Sequence, residues 1–388
     1  MTSSTGAGRW LPTLLVSFAA LGAFALSSCG RSPVTGSASP WRGFTQQTRF
    51  QTTYGTALAF TDARLGWLIR FAGSGVAETR DGARTWHPCP GRIVGVPQQG
   101  IGALPTRVAR LPNTWDLVEA GGSLFVACEG RNPYDENRND RLRAGVLVSR
   151  DGGRTFHRCL YLPTKGSTVS VLAALDARHL WALCDSSESG QHDEQSLRAS
   201  ADGGSTWRTV WRGHQNKYGT GLLGAPLQFV DAVHGWGSFG EQIVSTSDGG
   251  ATWTPVGPDY NGFSVAIGRE HLWYAWGTSG DESTDVDGGV SWSNDGGRTW
   301  HEVARFRGID MSGPIFFADA LHGWVEGPGA GGGYDNAIWA TSDGGRNWHS
   351  ELDFRAAPMT SFTFARAGDT LVFASGQQTF VRRLQATP

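Results

Sequence analysis

One eight-residue pattern, Ser/Thr-x-Asp-Gly-Gly-x-Thr-Trp, returns six times along the chain, at Thr79–Trp86, Ser149–Phe156, Ser200–Trp207, Thr246–Trp253, Ser293–Trp300 and Thr341–Trp348. Its aspartates, Asp81, Asp151, Asp202, Asp248, Asp295 and Asp343, follow one another at intervals of 70, 51, 46, 47 and 48 residues. A near-constant period of this size marks a repeat architecture, in which each unit is one supersecondary element that buries its apolar surface only against its neighbours. Inside each pattern the carboxylate is placed to accept hydrogen bonds from backbone N–H groups just downstream. The glycines supply positive φ, and the Thr hydroxyl ties back to the turn. The pattern is therefore a closed hairpin, and the aromatic that follows it enters the next strand and covers the turn.

A second signal precedes most of these boxes: Phe60 to Trp67, Leu175 to Trp181, Phe229 to Trp236, Ile267 to Trp273 and Phe317 to Trp324. Each reads as a strand, a tight turn and a second strand that starts at Trp, with a degraded copy around Glu119 to Phe125. One unit is then four strands, A to D, with the box joining C to D. Four-stranded units of about 40 to 50 residues are the signature of an all-β propeller. The 348 residues from Trp41 onward hold seven such units, with a surplus that matches the widened first interval. Only 45 residues follow Asp343, enough for strands A, B and C of a last blade within Ser361 to Leu384 but not for D. The segment Trp41 to Gln47 is expected to supply that outer strand, with Trp41 replacing the missing box aromatic. Closure of this kind removes an open sheet edge. The expected organisation is 1–28 as a leader, 29–40 as a tether and 41–388 as a single seven-bladed β-propeller.

This accounts for eleven of the 17 Trp in the 388 residues, and much of the excess in the 55 Gly serves the same turns. With 33 Lys+Arg against 35 Asp+Glu, there is no basic excess for charge-driven nucleic-acid binding, and an aromatic-rich, nearly neutral chain is not disordered. At the amino terminus, Arg9 precedes an apolar run from Leu11 to Leu26, too short for a comfortable membrane span, which needs about 20 residues. It ends in Leu26-Ser27-Ser28-Cys29, which resembles the bacterial lipobox, and Gly30 to Pro40 reads as a flexible tether. The resemblance implies lipidation of Cys29 and an extracytoplasmic, membrane-anchored protein, periplasmic or at the cell surface. Gly30 after the cysteine implies the outer membrane in a double-membraned bacterium.

The remaining cysteines keep the repeat register. Cys89 and Cys159 each follow a box aromatic by three residues, and Cys128 and Cys184 align in the second strands of the next blades. Two inter-blade disulfides, Cys89 to Cys128 and Cys159 to Cys184, or four buried thiols packed as small apolar groups, both satisfy this spacing. No CxxC or Cys/His spacing points to a metal, and no cofactor is implied.

The boxes resemble BNR or Asp-box repeats, found in sialidases, sortilin-type receptors and xyloglucan hydrolases. The Gly-Trp strand followed by the box is especially similar to the photosystem II stability/assembly factor-like propellers, which are lumenal or periplasmic and often lipidated. The resemblance implies a structural role for the box aspartates, because in these families the box lies remote from the ligand face. Function is then expected on the opposite face, in the B to C and D to A loops, whose lengths vary far more than the boxes do.

Charge on those loops is sorted. Arg92, Arg107, Arg110, Arg131, Arg138, Arg141 and Arg143 form a basic sector around blades one and two; Asp185, Glu188, Asp193, Glu194, Asp281, Glu282, Asp285 and Asp287 form acidic ones. Arg107, Arg110, Arg131, Arg138, Arg141 and Arg143 are the candidate patch for an acidic segment of a protein partner, as the assembly-factor resemblance implies. Solvated loops that neutralise one another are the alternative. Asp281, Asp285 and Asp287 offer oxygen ligands for Ca²⁺, though without EF-loop spacing. An exo-glycosidase of the sialidase type would need an arginine triad, a Tyr nucleophile and a Glu partner. Tyr134, Tyr218, Tyr260, Tyr274 and Tyr334, with Glu129, Glu241 or Glu326, are available, but no spacing selects among them, and the Arg-Ile-Pro element of sialidases is missing from Thr53 to Arg70. The reading favoured is a non-catalytic protein-binding or assembly scaffold. The alternatives are that glycosidase and a carbohydrate-binding propeller without turnover.

Overall fold

The computed structural model describes residues 40–45, 56–70, 76–89, 91–94, 114–128, 145–162, 167–186, 194–214, 223–240, 242–259, 261–266, 268–277, 287–307, 311, 313–329, 335–355, 362–375 and 378–384. These belong to the unit Ala38–Pro388; Cys29 and the leader fall in Met1–Ser37, outside the described residues. The described residues form seven antiparallel sheets and no helix, a seven-bladed β-propeller. Strands A to D of blade one are Thr56–Phe60, Gly66–Arg70, Val76–Thr79 and His87–Pro88. Those of blade two are Thr114–Ala120, Ser123–Cys128, Gly145–Ser149 and Thr155–Tyr161. Blade three has Thr168–Ala174, Leu180–Ser186, Glu194–Ser200 and Arg208–His214. Blade four has Leu223–Phe229, Gly235–Phe239, Gln242–Thr246 and Thr254–Asp259. Asn261–Ala266, Leu272–Gly277, Asp287–Ser293 and His301–Arg307 form blade five. Ile315–Phe317, Gly323–Pro328, Asp335–Thr341 and His349–Arg355 form blade six.

Blade seven is built from both ends of the chain. Phe362–Ala367, Thr370–Ser375 and Gln378–Arg383 are its A, B and C strands, and Trp41–Thr45 pairs antiparallel with the last of these, Trp41 opposite Arg382 and Thr45 opposite Gln378. The amino-terminal strand therefore closes the ring, as the residue count requires. Trp41 is 5% exposed and lies in the apolar cluster shared by blades six and seven, with Trp324, Ile338, Phe354, Leu371 and Phe373.

The core is divided among the blade interfaces. Side chains alternate along a strand, so a sheet inside a ring turns one set of residues to the preceding blade and the other to the following one. In blade five, Leu272, Tyr274 and Trp276 pack with Trp236 and Ile243 of blade four. Their alternates Trp273 and Ala275 pack with Ile315, Phe317 and Val325 of blade six. Strands B of blades two and five, Ser123–Cys128 and Leu272–Gly277, are consequently buried along their whole length. The second-strand tryptophans stack on the first-strand phenylalanine of the next blade: Trp181 on Phe229 at 3.7 Å between ring centroids, and Trp273 on Phe317 at 4.3 Å. The box tryptophan of that next blade then meets the same phenylalanine edge-on, Trp253 on Phe229 and Trp348 on Phe317. Both recurring tryptophans are packing elements, favoured in offset and edge-on geometry.

Blade two differs from the repeat. Arg92–Ile93 adds a short parallel strand outside its D strand, with Arg92 opposite Thr155. Arg92 therefore lies on the box side of blade two and not among the loops of the opposite face, where its place in the sequence had grouped it. The cause is the extreme shortness of blade one's D strand, two residues long, which leaves the chain free to cross to the neighbouring edge.

Candidate functional site

The six box aspartates take up one geometry. At Asp151, Ser149 Oγ and Thr155 N–H donate to Oδ1 at 2.8 and 2.9 Å, Thr155 Oγ1 donates to Oδ2, and Gly153 N–H returns to Ser149 Oγ at 2.8 Å. The same bonds recur at Asp81, Asp202, Asp248 and Asp295, and at Asp343 an Asn347 amide replaces the threonine hydroxyl at 2.7 Å. The donors act on the charged form. The Thr206 side chain foremost holds Asp202 at about 2, the Thr299 N–H foremost holds Asp295 at about 2, and the Asn347 side chain foremost holds Asp343 at about 2. At Asp151 burial opposes ionisation, but the Thr155 and Ser149 bonds outweigh it and the carboxyl stays at about 2.

Five of the six boxes are also tied to the A to B turn of their own blade. Gly203 N–H donates to Arg178 O at 3.0 Å, Gly249 to Val233 O at 2.9 Å and Gly344 to Leu321 O at 3.0 Å. Those turns are closed by an aspartate of their own: Asp231 accepts from Val233 and His234 N–H at 2.9 and 2.8 Å, and Asp319 from Leu321 and His322. Both carboxylate sets are consumed by local backbone, which makes them structural.

Two inner-strand residues that sequence reasoning passed over join neighbouring blades. Asp116 accepts from its own Leu117 N–H at 2.8 Å and from Leu172 N–H, on strand A of blade three, at 2.7 Å. It sits at a β-bulge in the pairing of Thr114–Ala120, and burial pushes its carboxyl up to about 7 in spite of those two bonds. Gln195 reads both backbone groups of Leu223 across the next interface, accepting its N–H at 2.7 Å and donating to its carbonyl at 2.8 Å. Both lie in strands of mixed polarity, TWDLVEA and EQSLRAS, where nothing in the sequence marks them out or names a partner.

Of the candidate glycosidase residues, Tyr274 is 1% exposed, packed edge-on against Trp300 inside the blade four and five cluster, where no substrate reaches it. Glu326 is buried on strand B of blade six, beneath Gly313. Tyr134, Tyr218, Tyr260, Tyr334, Glu129 and Glu241 lie outside the described residues, as do Arg107, Arg110, Arg131, Arg138, Arg141, Arg143, Asp281 and Asp285. Among the described residues no three His, Cys, Asp or Glu side chains converge as metal ligands.

The cysteines Cys89, Cys128, Cys159 and Cys184 are free thiols, the second of the two arrangements that the spacing allows. Cys89 Sγ faces Gly153 O at 3.2 Å and Cys128 Sγ faces Gly145 O at 3.3 Å, so the two point to different backbone groups. Cys89 and Cys159 fill the space over the second box glycine of the next blade, Gly153 and Gly204, a place taken by Val256 over Gly297 and Val303 over Gly345. They act there as small apolar side chains, and burial pushes Cys89 and Cys128 up to about 11 and Cys159 and Cys184 to about 12.

At blade six the corresponding residue, three after Trp348, is Glu351, and it faces the one blade without a box. In blades three and four the strand B indole donates to a box carbonyl of the next blade, Trp181 to Gly249 O at 3.1 Å and Trp236 to Gly296 O at 3.2 Å. Trp324 has no such carbonyl and donates to Glu351 Oε2 at 3.0 Å; Trp41 donates to the same oxygen at 2.8 Å, and Arg382 pairs with Oε1 at 2.7 Å. The carboxylate stands in for the missing turn.

No protein-family model matches the chain, and no curated protein matches it in sequence. Solved structures match in fold. "YCF48 bound to D1 peptide" is similar at TM-score 0.56 and 15% identity, over 90% of this chain and 96% of that one. YCF48 from Cyanidioschyzon merolae is similar at TM-score 0.51 and 16% identity, over 89% and 99%. The GH74 xyloglucanase from Xanthomonas campestris is similar at TM-score 0.52 and 17% identity, over 90% of this chain but only 55% of the enzyme. At these identities the likeness is one of fold, the propeller that this chain shares with a peptide-binding protein and with a glycoside hydrolase.

Proposed function

We propose that this protein is a non-catalytic scaffold, held outside the cytoplasm by a lipid on Cys29, that captures a protein segment on the loops opposite the boxes. The observation that carries the reading is the use to which the ring puts its carboxylates. The box aspartates are saturated by their own turns and Asp116 by backbone of two blades, so these groups serve the frame. YCF48, with which the chain shares its fold over nearly its whole length, has been solved with a D1 peptide, so peptide capture is a use this kind of ring supports. The basic residues Arg107, Arg110, Arg131, Arg138, Arg141 and Arg143 favour an acidic segment, through forked hydrogen bonds from guanidinium to carboxylate.

Pulldown from solubilised membranes, comparing the native chain with one carrying Arg138→Glu, Arg141→Glu and Arg143→Glu, tests the partner. Loss of one or a few captured proteins is expected, and an unchanged set removes the patch. Cys29→Ala should move the protein from the membrane to the soluble fraction. Saturable turnover of a fluorogenic glycoside, abolished by Asp116→Asn in a chain that still folds, would overturn the scaffold in favour of a hydrolase.

A further inference from the structure

The seam where the ring closes contains a cleft of about 320 Å³, lined by Ala63, Arg64, Asp81, Gly82 and Arg84 of blade one and by Arg42, Ala367, Thr370 and Val381 of blade seven. It lies on the box side, away from the loops assigned above to a protein partner. Three of its lining residues are arginines, Arg42, Arg64 and Arg84, and all three are exposed. No side-chain hydrogen bond or ion pair joins any of them to a carboxylate or carbonyl among the described residues, although the Arg64 charge acts on Asp62, whereas four other arginines on this side have one. Arg346 donates to Asp343 O at 2.8 Å, Arg150 to Gly203 O at 3.1 Å, Arg80 pairs with Glu78 at 3.1 Å, and Arg269 pairs with Asp231.

The carboxylates at the cleft are already occupied. Asp81 accepts from Thr79 and Thr85 of its own turn, Asp62 from Arg64 and Leu65 N–H, and Asp369 pairs with Arg383 at 3.0 Å. The backbone frame is fixed by Gly82 N–H, which donates to Arg64 O at 3.1 Å, and by Thr379, whose hydroxyl accepts from the Trp86 indole and donates to Ala83 O across the seam. Three arginines lining one cleft, none with a hydrogen-bonded acceptor among the described residues, offer more donors than a single carboxylate accepts. A tetrahedral oxyanion, with three or four acceptor oxygens and two negative charges, suits them.

We infer that the seam between blades seven and one is a binding site for a phosphoryl group, held by Arg42, Arg64 and Arg84 and supplied as free phosphate or as the headgroup of an anionic lipid. Because Arg42 belongs to the amino-terminal strand and the other two to blade one, the bound group also fastens the closing strand to the ring. The site is independent of the protein-binding reading.

The full-length chain in neutral detergent is titrated with inorganic phosphate by calorimetry and followed by thermal melting, against chloride at equal ionic strength. A saturable heat is expected, with a rise in melting temperature that chloride does not reproduce. Arg42→Gln, Arg64→Gln and Arg84→Gln should each weaken phosphate at least tenfold while melting as the native chain does in chloride. Arg346→Gln should leave phosphate binding unchanged. In the second arm, flotation with phosphatidylcholine vesicles is compared with and without phosphatidic acid. A gain that requires phosphatidic acid and is lost in Arg42→Gln/Arg84→Gln identifies the headgroup as the source, and phosphate binding without that gain identifies the free ion. Binding that the three arginine variants leave unchanged, or no response in either arm, overturns the proposal. Neither result bears on the captured partner, which the Arg138, Arg141 and Arg143 changes read separately.

Discussion

At the scale of single residues, the chain separates groups whose role is set within a few positions from groups whose role depends on distant strands. Asp151 finds its hydroxyl and N–H donors within four residues, so its place in a turn is readable from the octapeptide itself. Glu351 accepts from Trp41, 310 residues away, and Asp116 from Leu172, 56 residues away, and neither pairing has a local signature. Glu351 takes a position that Val256 and Val303 hold in other blades, and its removal leaves Arg382 and two indole N–H groups at a blade interface without an acceptor. Glu351→Val should therefore cost about 3–5 kcal/mol in urea unfolding, and the pair Glu351→Val/Arg382→Met should recover much of it, since both partners then leave together. The glycines of the boxes give a second case. A Cβ on Gly153 would lie 2.9 Å from Trp67 Nε1 and 3.0 Å from Cys89 Sγ, at a φ of +81°. Gly153→Ala should destabilise by about 1–2 kcal/mol from the backbone conformation alone, with overpacking added, and a lowered urea midpoint at unchanged slope would show it. Ala83, at φ 68° in the first box, occupies the same box position, with its side chain in the blade seven and one cluster.

At the scale of the element, the period of the boxes, the two tryptophan classes and the shortage of residues after Asp343 placed four strands in each blade and the closing strand at Trp41. The structure agrees at each blade, from Thr56–Phe60 to the pairing of Trp41–Thr45 with Gln378–Arg383. What the pattern could not carry is whatever breaks it. The parallel edge strand Arg92–Ile93 arises because blade one's D strand stops after His87–Pro88, and two residues show no period. The cysteines kept register with the repeat, yet register locates a side chain on a strand without saying which of two faces it packs, so bridge and thiol remained equally compatible until Cys89 and Cys159 were seen over box glycines. The closing strand is the element on which the ring depends. Trp41→Ala should cost about 3–5 kcal/mol, as for other buried aromatics. Deletion of residues 1–47 goes further, because it exposes the unpaired edge of Gln378–Arg383. A broadened thermal transition and concentration-dependent aggregation are expected, and a sharp native-like melt of the truncated chain would show that closure is dispensable.

At the scale of the whole molecule, the two carboxylate classes set opposite limits on the pH range of the fold. The box aspartates Asp151, Asp202, Asp295 and Asp343 sit at about 2 against an ordinary value of 3.8, and Asp81 and Asp248 are lowered as well. A depressed carboxyl contributes stability that is present above 3.8 and is lost as pH falls towards about 2, and the boxes titrate over the same narrow window, so acid should unfold the ring steeply there. Asp116 has the reverse sign. Its folded value of about 7 lies above 3.8, so its contribution is complete below 3.8 and is lost as pH rises through about 7. The optimum is therefore expected near pH 4, where the acid limb ends and the Asp116 limb begins. Asp116→Asn keeps an oxygen acceptor for Leu172 N–H and removes the titration. Urea midpoints measured from pH 3 to 8 should fall between about pH 4 and 7 in the native chain, level off above that, and show no such fall in Asp116→Asn, with the acid limb unchanged in both. An alkaline limb of equal slope in the two proteins would place the raised carboxyl elsewhere.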